Sequence, residues 1–277
     1  MTLAEIRKYL IRLFQEHHIE SPETDSGLLL MHRLNLSKTQ LLLGTYILTE
    51  EEESDMLALA NRRIQGEPVR YLTGVCPFMD LDFYVNPSTL IPRPDTELLV
   101  EAVSHRLGDR TILWDIGCGS GCVGITLAHL HPSLSVAELD ISFEALDTAR
   151  QTAQRYGLSN RVSFLQHDIL KGMPALTPPQ VIVSNPPYIP TKDIETLQTE
   201  VRFFEPRRAL DGGADGLLFY RQIIKHAPLS SHGLLAFEIG FDQGESVPAL
   251  MREHGYLDIE LLHDLSGNPR VVLGYHK

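Results

Sequence analysis

The sequence predicts an α/β fold: a largely parallel sheet flanked by helices, preceded by a small helical bundle and a β-hairpin. Three observations carry that expectation. From Thr111 onward short apolar runs alternate with helical stretches, the pattern of strand-helix-strand units in a parallel sheet. The first of these runs enters a Gly-rich turn between Asp115 and Gly121. The region before Gly66 has helical periodicity only.

In that first region Ile6, Tyr9, Leu10, Leu13 and Phe14 recur with the spacing of one helix face. Start signals then repeat. Ser21-Pro22 sets a capping residue before a proline at the first helical position, and Ser37/Gln40 and Thr49/Glu52 have capping-box spacing. A bundle of four or five helices follows. Between Pro68 and Pro94 the pattern changes to the alternation of Leu81 to Val85 with turn residues at Asn86-Pro87-Ser88, which reads as a hairpin between two domains. Asp95 to Leu107 is helical again. Strands are expected at Thr111–Trp114, Ser135–Leu139, Val162–Leu165, Val181–Ser184 and Leu234–Glu238, with Ile259–Leu262 and Val271–Leu273 as an antiparallel edge pair. The domain reading is a helical domain over 1–72, a hairpin linker over 73–92 and a nucleotide-binding type of α/β domain over 93–277.

Composition narrows the function classes. The 43% hydrophobic and 22% charged fractions are those of an ordinary soluble protein,. A formal charge of −12 argues against a nucleic-acid partner, which calls for a basic surface; Arg202, Arg207 and Arg208 form the one local basic cluster. Cys76, Cys118 and Cys122 have no disulfide-framework spacing, and the N-terminus has no apolar signal core, so a reducing cytoplasm is expected. The uncharged stretch Ile116–Ala137 is long enough to span a bilayer, but its glycines, two histidines and proline read as loop, helix and turn. Cys118 and Cys122 lack the second ligand pair of a structural zinc, so no metal site is expected.

The turn Asp115-Ile116-Gly117-Cys118-Gly119-Ser120-Gly121 suits a nucleoside-bearing cofactor, because glycine lets a ligand approach the backbone. Gly119, Gly121 and Gly124 also match the weak dinucleotide fingerprint. That reading predicts a diphosphate at the helix N-terminus. An acidic residue immediately before the turn instead suits the cationic methionine end of S-adenosyl-L-methionine. Asp140 ends the next strand, where a carboxylate can accept the ribose hydroxyls. Asp168 follows the third strand and could accept from the adenine amino group, with Ile169 packed on the ring. Each aspartate alone reads more readily as a helix cap or turn residue; their places together at successive strand ends favour the cofactor.

Val181–Ser184 carries Asn185-Pro186-Pro187-Tyr188 to the carboxyl edge of the sheet. Asn-Pro-Pro is also a plain strand-ending turn, but its position downstream of the Gly-rich turn favours a site. An amide or aromatic amine nitrogen is a weak nucleophile because its lone pair is delocalised. Asn185 can accept one N–H through its side-chain oxygen and the Pro186 carbonyl the other, while Pro187 stiffens the loop and Tyr188 offers a flat face to a planar group. No dedicated general base is needed.

With these motifs the chain resembles the bacterial glutamine N5-methyltransferases of peptide chain release factors. The resemblance rests on Leu72-Thr73-Gly74 with Phe78, on Leu90-Ile91-Pro92-Arg93-Pro94-Asp95-Thr96-Glu97, on the Gly-rich turn, on Ser184 to Ile189, and on Arg202-Phe203-Phe204-Glu205-Pro206. It implies a Rossmann-like methyltransferase domain, with cofactor contacts from Gly117, Cys118, Gly119, Ser120, Gly121, Asp140, Asp168, Ile169 and Asn185. It also implies that Asn185 to Tyr188 grip the acceptor, the glutamine of the Gly-Gly-Gln motif in release factors 1 and 2. The helical domain would help bind the release factor, with the enzyme a monomer and neither nucleic acid nor membrane as partner. Ile169 stands where relatives often carry an aromatic. Asn-Pro-Pro-Tyr is shared with nucleic-acid amino-methyltransferases, so the Ile-Pro-Arg-Pro element is the discriminating one. A ribosomal-protein glutamine is the rival acceptor.

Overall fold

Three capping boxes start helices in the N-terminal region: Thr2 with Glu5, Ser37 with Gln40 and Thr49 with Glu52, each side chain bonded to the other residue's backbone N–H. The helices are α1 (Leu3–Glu16), α2 (Pro22–Leu34), α3 (Lys38–Leu43), α4 (Glu50–Ile64) and α5 (Val69–Thr73). Ser21 does not cap α2. Its backbone, at φ −127° and ψ 61°, lies outside the extended region from which capping side chains reach, so Pro22 alone marks that start. Leu3, Ile6, Leu10 and Phe14 of α1 bury against Leu29, Leu30, Met56 and Ala60. Tyr9, grouped with that face by spacing, is exposed.

The computed structural model describes residues 1–277, which divide into two compact units. The helical unit comprises Met1–Val75 together with Gln198–Phe204, and the larger unit Cys76–Leu197 with Glu205–Lys277. The remote segment of the helical unit forms α9 (Thr199–Phe204). An ion-pair relay holds it: the buried Arg63 guanidinium donates from Nε to Asp25 at 2.7 Å and from a terminal nitrogen to Glu200 at 2.5 Å. Gln198 adds a bond to Glu20 at 3.1 Å.

In the larger unit β1 (Val75–Phe78) and β2 (Leu81–Tyr84) form a hairpin turning at Met79-Asp80. Asn86 to Thr89 makes a separate turn, with the Ser88 N–H bonded to the Asn86 side chain at 2.9 Å. Where sequence alone sets the hairpin apart as a linker, Phe78, Leu81 and Phe83 are buried in the core of this unit. The backbone N–H groups of Asp82 and Tyr84 donate to the Tyr156 hydroxyl at 2.7 Å and the Thr152 hydroxyl at 3.1 Å, which occupies the free edge of β2.

The chain continues through α6 (Glu97–Ser104), β3 (Ile112–Ile116), α7 (Cys122–Leu130), β4 (Ser135–Asp140), α8 (Phe143–Arg155), β5 (Val162–Gln166) and β6 (Val181–Ser184). It ends with α10 (Leu218–His226), β7 (Leu234–Glu238), α11 (Ser246–Glu253), β8 (Leu257–His263) and β9 (Pro269–Tyr275). The seven-stranded sheet has the order β5-β4-β3-β6-β7-β9-β8. β3 to β7 are parallel; β9 runs antiparallel to both neighbours. The expected edge pair is therefore split in role, since β9, with Val271–Leu273 fully buried, lies inside the sheet and only β8 is the edge. Central β6 and β7 are buried along their whole length, as helices on both faces require. Chain order reverses between β3 and β6, which opens a crevice at the carboxyl ends of those strands. No helix is long and apolar enough to cross a membrane.

Candidate active site

One cavity occupies that crevice, and most of the residues singled out by sequence line it: Gly117, Cys118, Gly119, Ser120, Asp140, Asp168, Ile169, Asn185, Pro186 and Pro187. Gly117 has φ +71°, and a Cβ added there would meet no protein atom within 4 Å. The backbone is bared to the cavity at this point. Gly121 works from behind, where a Cβ would press on Ile125 at 2.6 Å and Ala149 at 3.1 Å; it shapes the turn without lining the cavity. Gly124 has the same kind of role, because a Cβ would collide with the Glu138 carboxyl and Val136. The third glycine of the dinucleotide-like pattern thus serves close helix–sheet packing.

Asp140 receives the Gly119 N–H at 2.9 Å and the Ser142 N–H at 2.8 Å, which fixes its carboxylate beside the turn. Burial raises its pKa, and those two bonds counteract the rise. Asp168 caps the short helical turn after β5, accepting from Leu170 N–H at 3.1 Å, while also lining the cavity. Ile169 is buried beside it.

Asp115 is buried and accepts the Gly124 N–H at 2.9 Å, tying the end of β3 to the start of α7. Loss of water pushes its carboxyl up to about 7. Adjacent Glu138, also buried, is driven up by burial and by Asp115. The Asp115 carboxyl and the Cys118 thiol are its hydrogen-bonding neighbours, and a proton held between the two acids is what lets both carboxyls sit there. Sequence reasoning gave Asp115 an electrostatic role toward the cofactor and missed Glu138; a carboxylate inside a buried strand was the available signal. The Cys118 and Cys122 thiols, buried next to these acids, are held well above their ordinary range and stay protonated.

Carboxyls raised in the folded state make stability greatest below the ordinary carboxylate range, and that stability is lost as pH rises through about 7. The thermal midpoint is therefore expected to fall between pH 5 and pH 8. Glu138→Gln should raise it at pH 8 and flatten the dependence, since the substitution removes one of the two carboxyls that must ionise away from water. Differential scanning of both proteins across that range checks this.

On the acceptor side, the Asn185 side-chain nitrogen donates to the Thr96 hydroxyl at 3.3 Å, and that hydroxyl donates to Glu238 at 2.6 Å. No backbone N–H of the chain donates to the Pro186 carbonyl. Gly212 and Gly216 brace the loop from outside: a Cβ on Gly212 would lie 2.7 Å from the Pro187 carbonyl, and one on Gly216 would strike the Tyr188 carbonyl. The Gln243 amide donates to that same carbonyl at 3.2 Å. Tyr188 itself does not line the cavity. It is half-buried against the cluster containing Tyr220, where burial pushes the phenol up to about 12. Arg208 lines the cavity, Arg207 pairs with Glu195 at 3.2 Å, and Arg202 lies in the helical unit, stacked on Phe203. Glu205, buried, accepts from Ile91 N–H at 3.3 Å and pairs with Arg93, holding the Ile-Pro-Arg-Pro segment at the rim.

The bared glycine backbone at Gly117 and the fixed Asp140 carboxylate beside it fit S-adenosyl-L-methionine. Fold and site together define an S-adenosylmethionine-dependent methyltransferase. A model of the methyltransferase small domain matches residues 93–225, and a model of the PrmC N-terminal domain matches residues 5–74. Proteins named release factor glutamine methyltransferase are similar throughout: 40% identity with that of Moorella thermoacetica, covering 100% of this chain and 99% of the relative. The Neisseria gonorrhoeae relative is 42% identical over 91% of this chain and 93% of its own. The chain belongs to the release factor glutamine methyltransferase family. A methyltransferase from Pyrococcus furiosus shares the fold at TM-score 0.53 and 14% identity, covering 78% of this chain and 98% of that one. The hMettl16 catalytic domain does so at TM-score 0.55 and 15% identity, covering 84% of each.

Proposed function

We propose that this enzyme methylates the side-chain amide nitrogen of the glutamine in the Gly-Gly-Gln motif of peptide chain release factors 1 and 2. The observation that carries the reading is the polarity of Asn185. With its amino group committed to Thr96, its carbonyl oxygen is the branch left to accept. S-adenosylmethionine supplies a methyl group bonded to a sulfonium, which reacts with a nucleophile. Asn185 Oδ1 and the Pro186 carbonyl accept the two N–H bonds of the glutamine amide, fixing the plane of the nitrogen. As positive charge develops on that nitrogen the same two acceptors stabilise it. The methylated amide is acidic enough to lose its proton to water, so no dedicated base takes part.

Gly117 to Gly121, Asp140, Asp168 and Ile169 hold the cofactor in this reading, with Asn185 at the boundary between the two ligands. Pro187 and Tyr188 keep the loop stiff. The helical unit docks the release factor, which places the activity in the cytoplasm with the translation machinery. Relatives at 40% and 42% identity carrying the release-factor name support the choice of acceptor, and the charge of −12 disfavours a nucleic-acid one,. Incubation with labelled S-adenosylmethionine and, separately, a release factor, ribosomal proteins and DNA tests it. Label is expected on the release factor; label confined to ribosomal protein or DNA overturns the assignment.

A further inference from the structure

We propose that Thr96 and Glu238 are positioning residues that set which way round the Asn185 amide faces, so that its oxygen and not its nitrogen meets the acceptor. The inference rests on the role proposed for Asn185 and goes beyond it by assigning what enforces that role. An asparagine side chain is nearly symmetric in shape, and the cavity alone does not choose between oxygen and nitrogen. The choice comes from hydrogen-bond polarity. A hydroxyl has one proton to give. Glu238, 1% exposed at the end of β7, takes the Thr96 proton at 2.6 Å, which leaves Thr96 only lone pairs to present to Asn185 at 3.3 Å. Only the amide nitrogen can answer them.

The relay reverses when Glu238 is protonated. Its own O–H then donates to Thr96, the Thr96 proton turns toward Asn185, and the amide is free to flip its oxygen inward and present N–H to an acceptor that also brings N–H. Turnover requires the carboxylate. Burial is the main cause that raises Glu238, to about 7. Around it stand Arg270 from β9, which favours the charged form, Asp95 from the turn before α6, which disfavours it, and the Asn185 amide itself, whose N–H also bonds the carboxylate and favours the charged form; a carboxylate can only accept, so this bond selects the amide nitrogen as Thr96 does. The Tyr188 and Tyr220 phenols and the Cys122 thiol face it as well, all neutral at that pH.

The test measures kcat, KM for the release factor and cofactor affinity by calorimetry for the wild type, Thr96→Val, Thr96→Ser, Glu238→Gln and Asn185→Ala. Thr96→Val is expected to lose about 10²-fold in kcat, with cofactor affinity within a few-fold of wild type, and Thr96→Ser to recover it. Wild-type kcat is expected to fall about tenfold per pH unit below neutrality; Glu238→Gln, reduced in level, is expected to be flat between pH 6 and pH 8. Wild-type kcat in Thr96→Val, failure of Thr96→Ser to rescue, or an acid limb that persists in Glu238→Gln overturns the relay. The Glu238→Gln profile decides the matter if Thr96→Val does not fold. Full turnover in Asn185→Ala would instead overturn the underlying role of Asn185, which separates the two failures.

Discussion

Replacing Asn185 with alanine is expected to lower turnover by about 10²–10³-fold, the usual loss when one preorganised partner of developing charge is removed. Affinity for S-adenosylmethionine should change by less than about threefold, because the bared backbone at Gly117 and the Asp140 carboxylate are untouched. The loss is large for a chemical reason: an amide nitrogen attacks only when its plane is fixed, and the Pro186 carbonyl alone holds one of its two N–H bonds. The fold should survive. Asn185 is half-buried, and its side-chain amide bonds only Thr96, at a long 3.3 Å, and the neighbouring Glu238 carboxyl, bonds that contribute on the order of 1 kcal/mol each. Single-turnover kinetics with saturating cofactor, beside calorimetric binding, separates the two quantities; equal losses in both would mean that Asn185 serves the cofactor alone.

Arg63→Ala should produce the largest stability change, a loss of about 3–5 kcal/mol from the helical unit. Arg63 and Asp25 side chains are only 4% and 7% exposed, so truncation strands a carboxylate away from water. Glu200, at 38% exposed, is released to solvent at little cost, but α9 loses its principal tether. The contrast is the Arg207–Glu195 pair, more than half exposed on both sides, whose removal should cost at most about 1 kcal/mol. Replacing both buried partners, Arg63→Met with Asp25→Leu, is expected to restore most of the stability, since no buried charge then remains. Urea unfolding of the three variants, with hydrogen exchange to locate the loss, checks the order.

Much of the larger unit was legible because its signals are local. The runs Val181–Ser184 and Leu234–Glu238 match their strands residue for residue, since a strand covered on both faces must be apolar throughout. The Gly-rich turn was legible because bared backbone requires glycine. The illegible parts are all long-range. Nothing near Gln198–Phe204 announces that it packs with helices more than a hundred residues earlier; the cause is the Arg63–Glu200 pair, 137 residues apart. Val271–Leu273 reads as a strand, yet its place inside the sheet depends on pairing with β7.

At the site the same division holds. Asn185 was found from its motif, but its orientation is dictated by Thr96, 89 residues away, and by Glu238, 142 residues from Thr96. Both stood in view, Thr96 just after the Ile-Pro-Arg-Pro element and Glu238 closing an otherwise apolar strand, where an acid has no structural reason to be. Tyr188, whose aromatic ring suggests a stacking face, is half-buried against the core cluster of Tyr220, a packing contact that the motif alone does not reveal.

The most direct test of the central claim is to locate the transferred methyl by tandem mass spectrometry on release factor incubated with this enzyme and S-adenosylmethionine. The account predicts a single added methyl on the side-chain amide nitrogen of the Gly-Gly-Gln glutamine, and none on a release factor in which that glutamine is alanine. Methyl on any other residue, or equal methylation of the alanine variant, would contradict it.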